Sequence, residues 1–165
     1  MAIKYLLLLC AAAPLVTGIA KSYFVTSYTD CHIRTLHVRE EADRTIMTHG
    51  QWWIRASAGN GHGLFYGRIR FYDRQGEPQR NMVINRSFRF ITHKQNGLFE
   101  TEIQSVSRLS GDRFSDEEIG HFVSPMLVKG YTTPVVLFRT RSGNLLGGLP
   151  ERPVVNCEPA AGPPV

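Results

Sequence analysis

Hydrophobic and polar positions alternate with a period of two through much of this chain, most cleanly between residues 64 and 72. Leu64, Tyr66, Arg68, Arg70 and Tyr72 share one face there, while Phe65, Gly67, Ile69 and Phe71 share the other. The second face is the expected core side. Asp73-Arg74-Gln75-Gly76 reads as a turn, and residues 81–93 alternate again, with Ile84, Phe88 and Phe90 set against Asn85, Ser87 and Arg89. Lys94-Gln95-Asn96-Gly97 carries an Asn-Gly hairpin signature leading into residues 98–106, where Phe99, Thr101 and Ile103 share a face. Successive strands joined by short polar turns predict an antiparallel meander.

Weaker patterns flank this centre. Residues 31–39 read as a strand, with Ile33, Thr35 and His37 alternating against His32, Arg34, Leu36 and Val38. A charged turn over residues 40–44 leads to a second strand over 45–57, interrupted by Gly50, and Ala58-Gly59-Asn60-Gly61 is a strong turn. Toward the C-terminus, residues 135–139 form a strand, 141–144 a turn, and Leu145 and Leu146 begin a return. Residues 150–165 hold five of the nine prolines and read as an irregular tail fixed only at Cys157.

One helix breaks the β pattern. Ser115-Asp116-Glu117-Glu118 is a capping box, in which the serine hydroxyl accepts from the Glu118 amide and the glutamate reaches back. Asp116 and Glu117 also favour the positive end of the helix dipole. Ile119, Phe122 and Val123 give a short apolar stripe, and Pro125 and Gly130 limit its length. The simplest role for such a helix is to plug one end of a sheet or barrel.

The first residues follow a different pattern. Lys4 precedes an apolar run over 5–20, and Lys21 restores charge, as in an export or anchoring segment. Tyr5, Leu6, Leu7, Leu8, Leu9, Leu15, Val16 and Ile19 would be its lipid-facing side chains. Gly18-Ile19-Ala20 places small residues where a leader peptidase cuts. Retention instead requires Tyr23, Phe24 and Val25 to extend the run and Lys21 to snorkel, since about 20 residues span a bilayer core. Both outcomes stay open on the residues alone. Cys10 follows Leu9 rather than a small residue, which rejects a lipoprotein site.

The expected organisation is a membrane segment over 1–24, a linker over 25–30, an antiparallel β domain over 31–157 and a tail over 158–165. Lys and Arg total 19 against 14 Asp and Glu, a modest excess. Arg55, Arg68, Arg70, Arg86 and Arg89 are spread singly, as on a solvated strand face, and nucleic acid is not an expected partner. Of three cysteines, Cys10 lies in the leader. Cys31 and Cys157, as the two exported thiols, most simply form one disulfide; metal ligation with His32 or His37 is the alternative.

Signs of catalysis are sparse. The six histidines, at 32, 37, 49, 62, 93 and 121, show no metal-binding spacing, and there is no nucleophile elbow or phosphate loop. No catalytic, metal or cofactor residue is expected. Trp52 and Trp53 are candidate partner contacts, because adjacent strand residues face opposite ways and one can lie outside the core.

The order of several short motifs resembles the FidL-like family of enterobacterial membrane proteins, accessories of membrane-bound ToxR-like transcription regulators. The points of likeness are the basic-then-apolar leader, Cys31, Tyr66-Gly67-Arg68-Ile69 with the turn at Asp73 to Gly76, the strand over 86–91, Phe114-Ser115-Asp116-Glu117-Glu118-Ile119, and Cys157. The Phe-Ser-Asp-Glu-Glu segment is also similar to a patch in ToxS, an accessory of the same regulator class. The resemblance implies a retained single-pass anchor in the inner membrane and a periplasmic domain forming a lipocalin-like, partly open β-barrel. That domain would bind and stabilise or modulate the regulator's periplasmic domain, without catalytic residues. The competing expectation is a stand-alone periplasmic module holding a small apolar ligand, such as a bile salt, inside its own barrel.

Overall fold

A computed structural model describes residues 28–57, 59–95, 98–141, 145–149 and 152–159. The eight membrane-segment residues singled out above lie outside them, as does the Asn96-Gly97 turn. Among the described residues no helix is long and apolar enough to cross a membrane.

Eight antiparallel strands follow one another in chain order and close into a barrel of the lipocalin-like kind. They are β1 (Tyr28–Glu40), β2 (Arg44–Ser57), β3 (Asn60–Asp73), β4 (Pro78–Gln95), β5 (Leu98–Arg108), β6 (Thr132–Arg139), β7 (Leu145–Leu149) and β8 (Arg152–Pro159). An α-helix, α1 (Asp116–Phe122), and a 3-10 turn (Pro125–Leu127) interrupt the meander between β5 and β6. The first strand extends further than the sequence pattern, with β1 beginning at Tyr28, inside the expected linker.

Inward faces follow the alternation. Phe65, Ile69 and Phe71 of β3, Ile84, Phe88 and Phe90 of β4, and Thr101 and Ile103 of β5 are buried together. Eight strands enclose an interior just wide enough for side chains to fill, and phenyl rings fill this one. Gly50 does not break β2, which pairs continuously with β3 from Arg44 to Ser57. Its missing side chain makes room instead: a Cβ there would overlap the Phe65 ring, as one at Gly63 would overlap the Phe88 ring. Trp52 packs against both rings, with centroids 4.6 Å from Phe65 and 5.7 Å from Phe88.

The C-terminal stretch expected to be irregular contains a strand. β8 tolerates Pro153 because it is bonded along its length only to β7; toward β1 the register holds just Cys31 with Pro159 and His32 with Glu158. A register shift at Gly147 and Gly148 accommodates the proline on the β7 side.

The barrel wall is uneven. β6, β7 and β8 have 8, 5 and 8 residues, against 13, 14, 14, 18 and 11 for β1 to β5. They cover one half of the barrel's height. β5 pairs with β6 only at Phe99 to Glu102. In the other half, the segment after β5 crosses the barrel end and touches all five long strands. Arg39 of β1 donates to His121 at 2.9 Å, Thr48 of β2 donates to the Phe122 carbonyl at 3.2 Å, and Phe71 of β3 meets Phe122 edge-on at 5.6 Å. Arg86 of β4 reaches Asp116, and Ile103 of β5 exchanges backbone bonds with Gly130 and Tyr131. The helix is therefore a plug, as its short apolar stripe implied, with Ile119 and Leu127 fully buried beneath it.

The plug begins with the expected capping box. Ser115 accepts from the Glu118 amide at 3.2 Å, and the Glu118 carboxylate accepts from the Ser115 amide at 2.9 Å. That amide, then the serine hydroxyl, holds the Glu118 carboxyl below the ordinary carboxylate range. A depressed folded-state pKa contributes stability at neutral pH that is lost as pH falls through the lowered value. Ser115→Ala is expected to cost about 1 kcal/mol, read from denaturant unfolding. Glu118→Gln should show its deficit at neutral pH and converge on the parent only once the pH has fallen through the lowered carboxyl value; a deficit that persists in stronger acid would contradict this origin.

Candidate functional site

The side chains singled out in sequence divide between the inside of the barrel and its surface. Cys31 and Cys157 form a disulfide, with an S–S distance of 2.07 Å and Cα atoms 5.1 Å apart across 126 positions of sequence. Both are buried at the seam between β1 and β8, so metal ligation by these thiols is excluded. Trp52 is 7% exposed and belongs to the core, which removes it as a partner contact. Trp53 points the other way, half-buried on the outer surface, and stacks on His32 at 5.1 Å. His32 in turn lies 3.1 Å from the Gln51 side chain.

Arg86 overturns its expected place on a solvated face. It lies on the inward face of β4 between Ile84 and Phe88 and is fully buried. Its guanidinium donates to Asp112 at 3.0 Å, to Asp116 at 2.6 Å and to the Phe114 carbonyl at 2.7 Å. Asp112, its side chain also fully buried, accepts from the amides of Asn85 at 3.2 Å and Phe114 at 3.0 Å. The buried Arg86 and Asp112 side chains are satisfied by their neighbours, and the knot, with the 55% exposed Asp116 as its solvent-facing end, ties the plug to the barrel wall.

Around it the plug is rimmed by arginines over phenyl rings. Arg80 lies 5.8 Å from the Phe71 centroid and 5.7 Å from that of Phe114, and Arg44 lies 5.7 Å from Phe71 and 5.8 Å from Phe122. Arg44 also donates to Glu41 at 2.8 Å, and that bond is the main reason the Glu41 carboxyl is held below its ordinary range. Tight turns show the same logic: Asp73 accepts the amides of Glu77 and Gln75, the first being the main cause of its lowered pKa.

What remains open to a partner is β1. Residues 33–40 pair with β2, yet the register with β8 ends at His32. Among the described residues, no backbone hydrogen bond is made on that outer side of the stretch. A groove lies there instead, between residues 33–37 and Val155, Asn156 and Glu158. Residues 36–40 are exposed on both faces of the strand, with Leu36 at 61% and Val38 at 55%. Leu36 sits opposite His49 and Val38 opposite Met47, and those two face Arg68 and Arg70 of β3. Leu36, Met47, His49, Arg68 and Arg70 line a shallow groove on the outer surface, and the exposed Tyr66 stands on the same face.

Over this stretch β1 is a local sheet edge within an otherwise closed barrel, with an apolar, basic-flanked face. Natural sheets blunt exposed edges with short strands, charges, proline or a covering element. Here eight residues lack a main-chain partner on the β8 side; the charged Arg34, Arg39 and Glu40 lie toward its ends, Arg34 near Glu158 and Arg39 bonded to His121 of α1, and Leu36-His37-Val38 lies exposed between them. The alternation over 31–39 places Leu36 and Val38 on one face; that this face is exposed follows from the shortness of β6 to β8, which no local pattern encodes. No family model, curated protein or solved structure matches this chain.

Proposed function

We propose that this protein is an interaction module: a membrane-anchored periplasmic accessory that binds and stabilises a ToxR-like transcription regulator through the open edge of β1. The observation that carries the reading is the unpaired stretch over residues 33–40, exposed on both faces at 36–40 and bordered by apolar side chains. Its main-chain donors and acceptors suit strand addition from another chain, while Leu36, Val38 and Met47 supply apolar contact. Trp53, outside the core, is the tryptophan left available to such a contact. The regulator rests on the motif resemblance, and retention of the apolar leader as an anchor rests on that resemblance more than on the leader's length.

The interior weighs against the ligand-carrier alternative. A bile salt would need space that Trp52, Phe65, Phe88 and Phe90 occupy, with glycines already spent to admit the rings. Catalysis has no support either: among the described residues, the buried Arg86–Asp112 pair is satisfied by its own neighbours.

Mass action then supplies the effect on the regulator. A partner that binds only the folded form stabilises it, by about 2.7 kcal/mol when present at a hundred times its Kd. Tethering both proteins in one bilayer raises their effective concentration, so a modest interface suffices. Deleting this protein is expected to lower the regulator's steady-state level several-fold, and Leu36→Lys should reproduce much of that loss while leaving the barrel folded. Regulator abundance and target transcription that are unchanged in the deletion strain, under inducing conditions, would overturn the proposal.

A further inference from the structure

We propose that the open stretch of β1 is self-complementary and pairs antiparallel with β1 of a second copy of this chain, about a two-fold axis through His37. The inference rests on β1 as an interaction edge, as above, but not on the regulator. It also gives that edge a cover when no other partner is present, which an exposed strand of this length calls for.

The register follows from symmetry. A two-fold axis that joins two copies into one continuous antiparallel sheet, with both outer faces on the same side, must pass through a residue paired with its own counterpart. With the axis at His37, Arg34 stands opposite Glu40 and Leu36 opposite Val38, and symmetry gives each pair twice. All four side chains lie on the outer face and are exposed. The pairing therefore sets cation against carboxylate at both ends and apolar against apolar in the middle. Moving the axis to Leu36 sets Arg34 against Val38 and Glu40 against His32. Moving it to Val38 sets Leu36 against Glu40. Of the three, only the His37 axis matches every outer-face pair, and directly opposed side chains are where sheet pairing gains or loses most.

The strand is free to be used this way. Beyond His32 it has no main-chain bond to β8, and a groove separates residues 33–37 from Val155, Asn156 and Glu158. Arg34 holds Glu158 at 3.7 Å, with both side chains largely exposed; such a solvated pair contributes little and yields readily to a new one. Arg39, opposite Thr35 in the dimer, stays on the other face with its bond to His121.

Sedimentation of the purified full chain tests this directly. The wild type is expected to populate a monomer–dimer equilibrium. Arg34→Glu and Glu40→Arg should each weaken it by about tenfold, since each turns two attractive cross-strand pairs into repulsive ones, and the double exchange should restore it. In a second measurement, His37→Cys is expected to give a covalent dimer on mild oxidation, because a residue on the axis faces its counterpart at about 4.5–5.5 Å between Cα atoms, within disulfide range. Leu36→Cys, displaced from its own counterpart, should give much less. A wild type that is monomeric at every concentration reached, a double exchange that fails to restore dimerisation, or equal cross-linking at 36 and 37 would overturn the proposal. A monomer that still co-purifies with the regulator's domain would do so while leaving the proposed function intact; a well-registered dimer without any effect on the regulator would do the reverse.

Discussion

Replacing Arg86 with methionine is expected to destabilise the barrel by about 3 kcal/mol and lower its Tm by about 10 °C. The reason is what the substitution leaves behind. The side chains of Arg86 and Asp112 are both fully inaccessible to solvent and 3.0 Å apart. Without the guanidinium, a buried carboxylate loses its counter-charge and the Phe114 carbonyl loses this donor, while the Ser115 carbonyl keeps the Ile119 amide and the exposed Asp116 keeps its ion pair with Arg108. Breaking one side of such a pair costs about 3–5 kcal/mol. The lower figure applies here because Asp112 keeps the amides of Asn85 and Phe114. Arg86→Met combined with Asp112→Asn should recover part of the loss, since no unpaired charge then remains inside. A single variant within about 1 kcal/mol of wild type in urea unfolding would show that the knot contributes specificity of the plug's position rather than stability. The plug should also loosen, so hydrogen exchange at Ile119 and Leu127 is expected to rise ahead of exchange in β3.

That residue also shows where sequence reading succeeds and fails. The alternation of Ile84, Phe88 and Phe90 was sufficient to identify the inward face of β4, and position 86 lies on it by parity. The parity was overridden by the rule that arginines sit in water, which holds unless a buried charge has partners. Those partners come from residues 112–116, some 26 to 30 positions later, and no local pattern announces them. The capping box at Ser115 was legible because its chemistry closes within four residues. Likewise the meander from β3 to β5 was legible because period two and short turns are local. Gly50 was misjudged for the opposite reason: its role is set by Phe65 across the sheet, and a lone glycine carries no mark of the ring it accommodates.

The candidate site lies on the far side of the same divide. Leu36 and Val38 were visible as one face of a strand, but an exposed face and a buried one look alike when both are apolar. Their exposure follows from β6, β7 and β8 ending short of the plug, and β8 itself was hidden by prolines that a strand bonded mainly on one side can carry. Trp52 and Trp53 divided as strand parity requires, although parity alone does not say which of two tryptophans faces inward; the glycines that open space for Phe65 and Phe88 beside Trp52 decide it.

Converting Cys31 and Cys157 to serine is expected to cost about 3 kcal/mol, with the greatest loosening at the seam rather than in the core. The disulfide closes 126 positions of sequence, for which chain entropy alone sets an upper figure of about 4–5 kcal/mol, and measured losses commonly fall below it. Its location adds a structural argument. β1 and β8 share only two register pairs, the smallest seam in the barrel, against thirteen between β1 and β2. Where main-chain bonds are this few, the covalent link determines whether the wall stays closed. Loss of the link should therefore raise hydrogen exchange in β8 and at residues 31–33 strongly, while Ile69, in β3 and paired on both sides, retains most of its protection. The uncovered edge over 33–40 is aligned by the same link, so reduction is also expected to weaken self-association of the intact chain before it unfolds the barrel. Global unfolding that accompanies any opening of the seam, with exchange rising uniformly through β1 to β8, would contradict a local role for the disulfide. A serine variant with wild-type stability and an unchanged monomer–dimer equilibrium would contradict both parts of the expectation.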